Sequence, residues 1–332
     1  IEVNPNSIHI KGNYFNAKGT LERKINRISA VRAGIEFNQA TEKTEVAISP
    51  KPYQSDDQIT SVFGETDLGF SNHLSAKIGL RSEYSSEINR WNFAPRLAMA
   101  YRISKNWTSS LAYGIFYQNP EQKYFGTHAL NYQRAEHYIL QVQKSEEGRS
   151  FRLEAFYKNY TDLIKTKVLD SRPIALNNNG DGFAKGFEVF WRDKKSIQDI
   201  DYWISYSYLD SKRNFQNYDQ SLFPNFAAKH TLSVVAKKFV TDWKTGFNLS
   251  YTYASGRPYY NFQTNSNGDY YLNNQGKLKD FNALNFSLNY LPNLGKKDAK
   301  AFTILVLSIN NILGQKNIYG YQFSNDGLRS QP

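Results

Sequence analysis

The chain of 332 residues has no cysteine, a single methionine and no long apolar run. The first absence excludes disulfides and thiolate chemistry; it is compatible with an oxidising compartment without requiring one. The last excludes a membrane-spanning helix, which needs roughly 18 apolar residues or more. The longest apolar stretch, Ala301 to Ile309, is interrupted by Thr303 and Ser308. Residues Ile1 to Ile10 lack the charged start and apolar core of a secretory signal, as expected of a mature chain or a fragment. The five histidines, His9, His73, His128, His137 and His230, show no metal-ligand spacing. There is no nucleophile elbow, phosphate-binding glycine loop or zinc motif, and the carboxylates are dispersed. No catalytic residue, metal or cofactor is therefore expected. Two Asn/Asp/Gly runs, Asn177 to Asp181 and Asn265 to Asp269, lack the closing glutamate of a calcium loop and read as turns.

The formal charge is +11, but the cations are scattered over turns: Arg23, Lys24 and Arg27; Lys194 and Lys195; Lys296, Lys297 and Lys300. No recognition helix or RNA-binding aromatic motif accompanies them, so they are expected to meet solvent and lipid headgroups and no nucleic acid.

What the chain has is aromatics, 15% of all residues with 24 Tyr and 22 Phe, and a two-residue alternation that keeps restarting. Phe247, Leu249, Tyr251 and Tyr253 alternate with Gly246, Asn248, Ser250 and Thr252; Leu284, Phe286, Leu288 and Tyr290 alternate with Asn285, Ser287 and Asn289. Strand side chains point to opposite faces with period two, so each segment has one apolar and one polar face. Repeated along a chain, this predicts an all-β protein, a transmembrane antiparallel β-barrel with lipid outside and a wet lumen inside.

About fourteen strands are predicted, near 14–25, 28–40, 57–70, 74–86, 91–104, 107–118, 135–146, 150–167, 183–194, 201–213, 228–239, 243–256, 281–291 and 301–313. Their connections alternate. Those at Lys24–Arg27, Phe70–His73, Ser104–Asn106, Glu146–Arg149, Lys194–Ile200, Val240–Asp242 and Pro292–Lys300 are short. Those at Thr41–Asp56, Asn119–Arg134, Val168–Gly182, Asn214–Ala227 and Arg257–Asp280 are long, with only Ser85–Arg90 short in that set. Short turns at one rim and long loops at the other are a barrel feature. Charges fall on the polar face, assigned to the lumen: Arg96 and Arg102 oppose Leu97, Met99 and Tyr101, and Lys77 and Arg81 oppose Ile78 and Leu80. Pro95 lies on an apolar face and predicts a strand start or bulge. Ile304 to Leu307 is apolar on both faces and predicts one face buried against material within the barrel.

The long loops place aromatics beside amides, which suits capture of a sugar, peptide or chelate. Candidate ligand-binding residues are Tyr124, Phe125, Tyr132, Tyr218, Arg257, Tyr259, Tyr260, Tyr270 and Tyr271, with an aromatic girdle and loop packing as the alternative role.

Several segments, in order, resemble the barrel of TonB-dependent outer-membrane receptors, in particular those with a carboxypeptidase-regulatory-like N-terminal domain. They are Asn92 to Leu97, Tyr113 to Pro120, Arg134 to Tyr138, Glu154 to Lys158, Gly182 with Lys185 to Glu188, Lys229 to Ser233, Gly256 to Tyr259, and Ile309 to Leu313. The resemblance implies ligand-gated active import of a scarce nutrient such as a siderophore, oligosaccharide or peptide across the outer membrane of a Gram-negative bacterium. It implies as partners the TonB complex, outer-membrane lipid and lipopolysaccharide, a small nutrient ligand and a surface lipoprotein capping the loops. Receptors of this kind have about 22 strands around a plug. Neither plug nor TonB box is visible here, and the chain stops at Gln331-Pro332, so residues 1–332 are expected to be a partial barrel lacking plug, early strands and final strand. Arg96, Arg152, Glu154 and Glu188 are the lumen-facing candidates for plug contact. Alone, such a segment is expected neither to insert nor to transport, because open strand edges cannot sit bare in lipid. The competing readings are a passive porin-like or structural barrel and a soluble all-β binding protein.

Overall fold

A segment that alternates apolar and polar side chains satisfies its backbone by pairing with a neighbour. The computed structural model describes residues 8–46, 53–121, 124, 130–169, 172–323 and 329–330. Fourteen strands form one antiparallel sheet: β1 (Ile8–Lys24), β2 (Ala30–Val46), β3 (Tyr53–Gly69), β4 (Leu74–Ser85), β5 (Arg90–Arg102), β6 (Trp107–Gln118), β7 (Gln133–Glu146), β8 (Arg149–Leu169), β9 (Arg172–Asp193), β10 (Ile200–Asn214), β11 (His230–Val240), β12 (Thr245–Ala254), β15 (Phe281–Tyr290) and β16 (Leu305–Ile309). Each pairs with its neighbours in that order, and β1 and β16 are the two edges. Two hairpins stand apart, β13/β14 (Pro258–Thr264, Tyr270–Lys277) and β17/β18 (Gln322–Phe323, Arg329–Ser330). Among the described residues there is no α-helix.

Register carries the two-faced pattern from strand to strand. Ile78 pairs with Leu97, Leu97 with Tyr113, Met99 with Leu111, and Leu111 with Leu140. On this face Leu111 is 53% and Leu140 51% exposed, so the protein itself does not cover them. A soluble sheet would bury such a stripe; a lipid-facing one leaves it bare. Rows of rings flank the aliphatic band. Trp107, Phe151 and Trp191 lie ring to ring at the short-turn end, with centroids 6.2 and 6.3 Å apart. Tyr113, Tyr138 and Tyr157 form a second row toward the other end, at 5.0 and 6.3 Å. Amphipathic rings at both ends of an apolar band suit the two membrane interfaces. Pro95, opposite Leu80, lies within β5 on this face; pairing with β4 is unbroken there, whereas pairing with β6 starts at the next residue, Arg96.

The predicted spans correspond to the strands of the sheet, with four differences. The first strands are longer than expected: β1 begins at Ile8, β2 runs to Val46 and β3 begins at Tyr53, so most of the expected loop Thr41–Asp56 is strand. The expected loop Val168–Gly182 is mostly strand: β8 and β9 run on together as a tall hairpin past register shifts between Tyr160 and Thr166. Bulges let the Asn- and Gly-rich stretch pair, and its lack of apolar alternation had hidden it. The loop Arg257–Asp280 contains the β13/β14 hairpin. The last predicted strand, 301–313, shortens to Leu305–Ile309. Val306 pairs with Asn289 on the polar face, yet is 64% exposed.

Among the described residues, a buried apolar cluster forms where the β6–β7 loop meets the far ends of β8 and β9. Tyr124, Leu130, Ile164 and Ala175 pack together there, between the β6–β7 loop and the β8/β9 hairpin.

Candidate functional site

Two parts of the molecule present chemistry: the rim of long loops and the polar face of the sheet. On the rim, Tyr218 in the β10–β11 loop is buried, stacked on Phe262 (5.4 Å) and edge-on to Tyr260 (5.6 Å) and Phe215 (5.0 Å). Its hydroxyl accepts from the Asn225 amide (3.1 Å), and the Tyr260 hydroxyl donates to the Phe223 carbonyl (2.9 Å). The Lys165 ammonium, from the tall hairpin, donates to Asn214 and to the Tyr218 carbonyl. Burial raises the Tyr218 phenol above its ordinary value and pushes Tyr260 up to about 12, so both hold their protons.

The β13/β14 hairpin is tied to this cluster by its backbone. The Val168 amide donates to the Gly268 carbonyl (2.8 Å), and the Leu272 amide to Asp219 (2.8 Å). Gly268 has φ +81°, and a Cβ there would collide with the Val168 carbonyl oxygen, so this contact requires glycine. At the hairpin's base Asp280 accepts from the Gly256 amide (2.8 Å) and the Tyr253 hydroxyl (2.9 Å). Those two donors hold its carboxyl below the ordinary carboxylate range.

The other predicted rim residues take different places. Tyr132 is buried; its hydroxyl donates to the Arg90 carbonyl (2.9 Å), and burial pushes the phenol up to about 12. Tyr124 is buried in the outer apolar cluster, and Phe125 lies outside the described residues. Tyr259 is half-buried against Tyr321 (5.0 Å) and Phe323. Arg257 donates to the Tyr319 carbonyl (2.6 Å) and the Phe226 carbonyl (3.4 Å), clasping two loops. Tyr270 is half-buried, and Tyr271 is exposed with its hydroxyl on Gln263 (2.9 Å). Tyr218, Tyr259, Tyr260, Tyr270, Tyr271 and Arg257 thus share one group of loops around the hairpin, whereas Tyr132 belongs to a separate contact with β4 and β5.

The polar face carries the other candidates. Arg96 spreads over the Phe116 ring (4.7 Å) and Arg152 over Phe190 (6.0 Å). Glu154 and Glu188 are directly opposed on β8 and β9. Sequence reasoning passed over Lys158, Lys165 and Arg213. Lys158 stood within a family-like segment and Arg213 at a predicted strand end, but their meeting with aromatics depends on register. Among the described residues, no group of His, Asp and Glu is arranged to hold a metal.

A β-sheet with one bare apolar face, one charged face and rims of unequal loops is the wall of a membrane barrel, and comparison with known proteins agrees. A family model described as "TonB dependent receptor-like, beta-barrel" matches residues 4–312. The outer membrane transporter YddB of Escherichia coli superimposes with TM-score 0.76 at 14% identity, over 98% of this chain and 53% of that one. The FrpB iron transporter of Neisseria meningitidis gives 0.73 at 15%, over 98% and 53%. A mutant of the ferric enterobactin receptor PfeA of Pseudomonas aeruginosa gives 0.73 at 12%, over 95% and 49%. The chain spans about half the length of these solved structures. A search of curated protein sequences finds no match. The chain belongs to the TonB-dependent receptor family, as a portion of its β-barrel.

Proposed function

We propose that residues 1–332 are part of a plugged outer-membrane barrel of about 22 strands that imports a scarce nutrient in a ligand-gated, TonB-driven way. The observation that carries this reading is the family match along nearly the whole sheet, joined to a face of bare leucines and tyrosines that only lipid would cover. In this reading the chain is not an enzyme. The wall supplies scaffold, loop platform and lumen lining, and the loops around Tyr218, Tyr260 and Tyr271 receive the ligand. Arg96, Arg152, Glu154 and Glu188 face the plug. Energy comes from the TonB complex through a segment outside these residues. The nutrient is a siderophore, oligosaccharide, peptide or similar molecule, and a surface lipoprotein over the loops is compatible with the rim.

The test is uptake by the full-length receptor in its own outer membrane, with candidate nutrients offered singly. Import that stops when TonB is deleted or a protonophore is added supports the reading. Uptake indifferent to both, together with swelling of liposomes carrying the purified protein, would show a passive pore instead.

A further inference from the structure

The polar face holds a second constellation, below the rim, of which the import reading uses only Glu188. On β9 three successive polar-face positions, Gly182, Ala184 and Gly186, carry almost no side chain. Their partners are Tyr160, Lys158 and Phe156 on β8, and Arg213, Ser211 and Leu209 on β10. With strands about 4.8 Å apart, this is a trough one strand wide between two rows of larger side chains. The β10–β11 loop roofs it with Pro224 and Phe226, leaving a cavity of about 250 Å³ that both Lys158 and Arg213 line.

The two cations of this cavity are surrounded by rings more than by acids. The Arg213 guanidinium sits 4.2 Å from the Tyr160 ring centroid and 5.6 Å from those of both Phe215 and Phe226. Rings offer a π-face to the cation but no acceptor to its in-plane N–H groups. Accordingly the Arg213 Nε is buried without a hydrogen-bond partner. The Lys158 ammonium lies 5.2 Å from the Phe156 ring, and neither cation has an ion pair among the described residues. The one acid in the lining, Glu188, stands beyond Gly186 on β9, two polar-face positions from Ala184. A half-buried arginine with an orphaned donor is an unfinished hydrogen-bond arrangement, and a planar anion with two oxygens is what its fork matches.

We propose that this cavity binds a carboxylate, gripped by Arg213 with Lys158 beside it and flanked by the Tyr160 and Phe226 rings. Its volume lies below the roughly 300–1,000 Å³ of pockets for whole ligands, so it takes one carboxylate-bearing arm and not a complete nutrient. That carboxylate has two sources: a ligand passing along the lumen wall, or an Asp or Glu of a polypeptide segment lodged in the lumen. The inference rests on this face being the lumen of an importer, but its test reads binding, so failed import leaves it standing.

The experiment uses the full-length receptor in detergent with 4-fluorobenzoate as probe and 4-fluorobenzyl alcohol as its neutral control, followed by ¹⁹F line broadening. In parallel, carbodiimide coupling and peptide mapping report any carboxylate held against Lys158. Broadening of the benzoate alone, weakened tenfold or more by Arg213→Gln and partly restored by Arg213→Lys, supports a ligand-derived carboxylate. A Lys158 amide to an Asp or Glu of the chain, with no benzoate binding, supports the internal source. Restoration by lysine, and heat-modifiable migration on gels for every variant, separate lost binding from lost folding. Equal broadening of both probes, benzoate binding untouched by Arg213→Gln, or neither binding nor crosslink overturns the proposal.

Discussion

Two sectors of the same polar face treat charge in opposite ways. Across β1 to β4 the ions answer one another: Arg32 binds Glu22 and Glu65, Lys77 reaches Glu65 and Asp67, and Arg81 bonds Glu36, Glu83 and Ser61. Across the middle of β8 to β10, Arg152, Lys158 and Arg213 lie over rings, and Glu154 faces Glu188. The first sector is internally neutralised and reads as wall. The second leaves cations and carboxylates without opposite charges among the described residues, the condition on which the proposed carboxylate site depends.

Both sectors lie on the face turned to water, and the largest expected effect tests that placement. Leu140→Arg, on the bare face near mid-sheet, should cost about 2–4 kcal/mol in a bilayer, whereas Gln141→Arg next to it should change little; urea unfolding of refolded full-length protein in vesicles measures both. A cost for Gln141→Arg and none for Leu140→Arg would mean the faces are assigned the wrong way round, and equal costs would mean that neither face meets lipid.

Within the first sector Arg81→Gln strips one cation from two half-buried carboxylates and a serine. Hydrogen bonds to charged groups contribute about 1.5–3 kcal/mol, so a loss of that order is expected by the same measurement. In the second sector Glu188→Gln removes no ion pair and relieves a like-charge neighbour, and should stay within about 0.5 kcal/mol of the parent or exceed it. A large loss there would mean that the sector is neutralised after all.

A smaller effect follows pH. Asp280 has a folded pKa below its unfolded one, so its contribution is present above the ordinary carboxylate range and is lost as pH falls through the lowered value. Acidification below about pH 4 should loosen the base of the β13/β14 hairpin, seen as faster pepsin cleavage between residues 255 and 280. Asp280→Asn should make cleavage insensitive to that change.

Much of this architecture could be read in the residues. The sheet was legible because period-two alternation, as in Leu284 to Tyr290, records lipid on one side and water on the other. The tall end of β8 and β9 was not, because beyond the membrane nothing demands alternation, and Asn177 to Gly180 pair through bulges instead. The rim aromatics were visible as composition, and Tyr218, Tyr260 and Tyr271 do fall in one group of loops. That Tyr218 would be buried and Arg257 would clasp carbonyls depends on which loops lean together. The Arg213 cavity was the least legible part: it exists because Gly182, Ala184 and Gly186 fall between two particular rows, and that is a property of three strands at once.

The dependence of Gly268 on Val168, and of Tyr218 on two rings of another loop, bears on how the outer surface can drift. Loops of surface proteins change under pressure from phages and antibodies, and isolated loops change independently. Here the β8/β9 hairpin, the β10–β11 loop and the β13/β14 hairpin share contacts, so a replacement at Gly268 or Tyr218 needs a matching replacement elsewhere. Variation is thereby steered away from the shared contacts and into the exposed positions between them, such as Ser266 and Asn267, and the shape of the rim can persist while its outermost surface is rewritten.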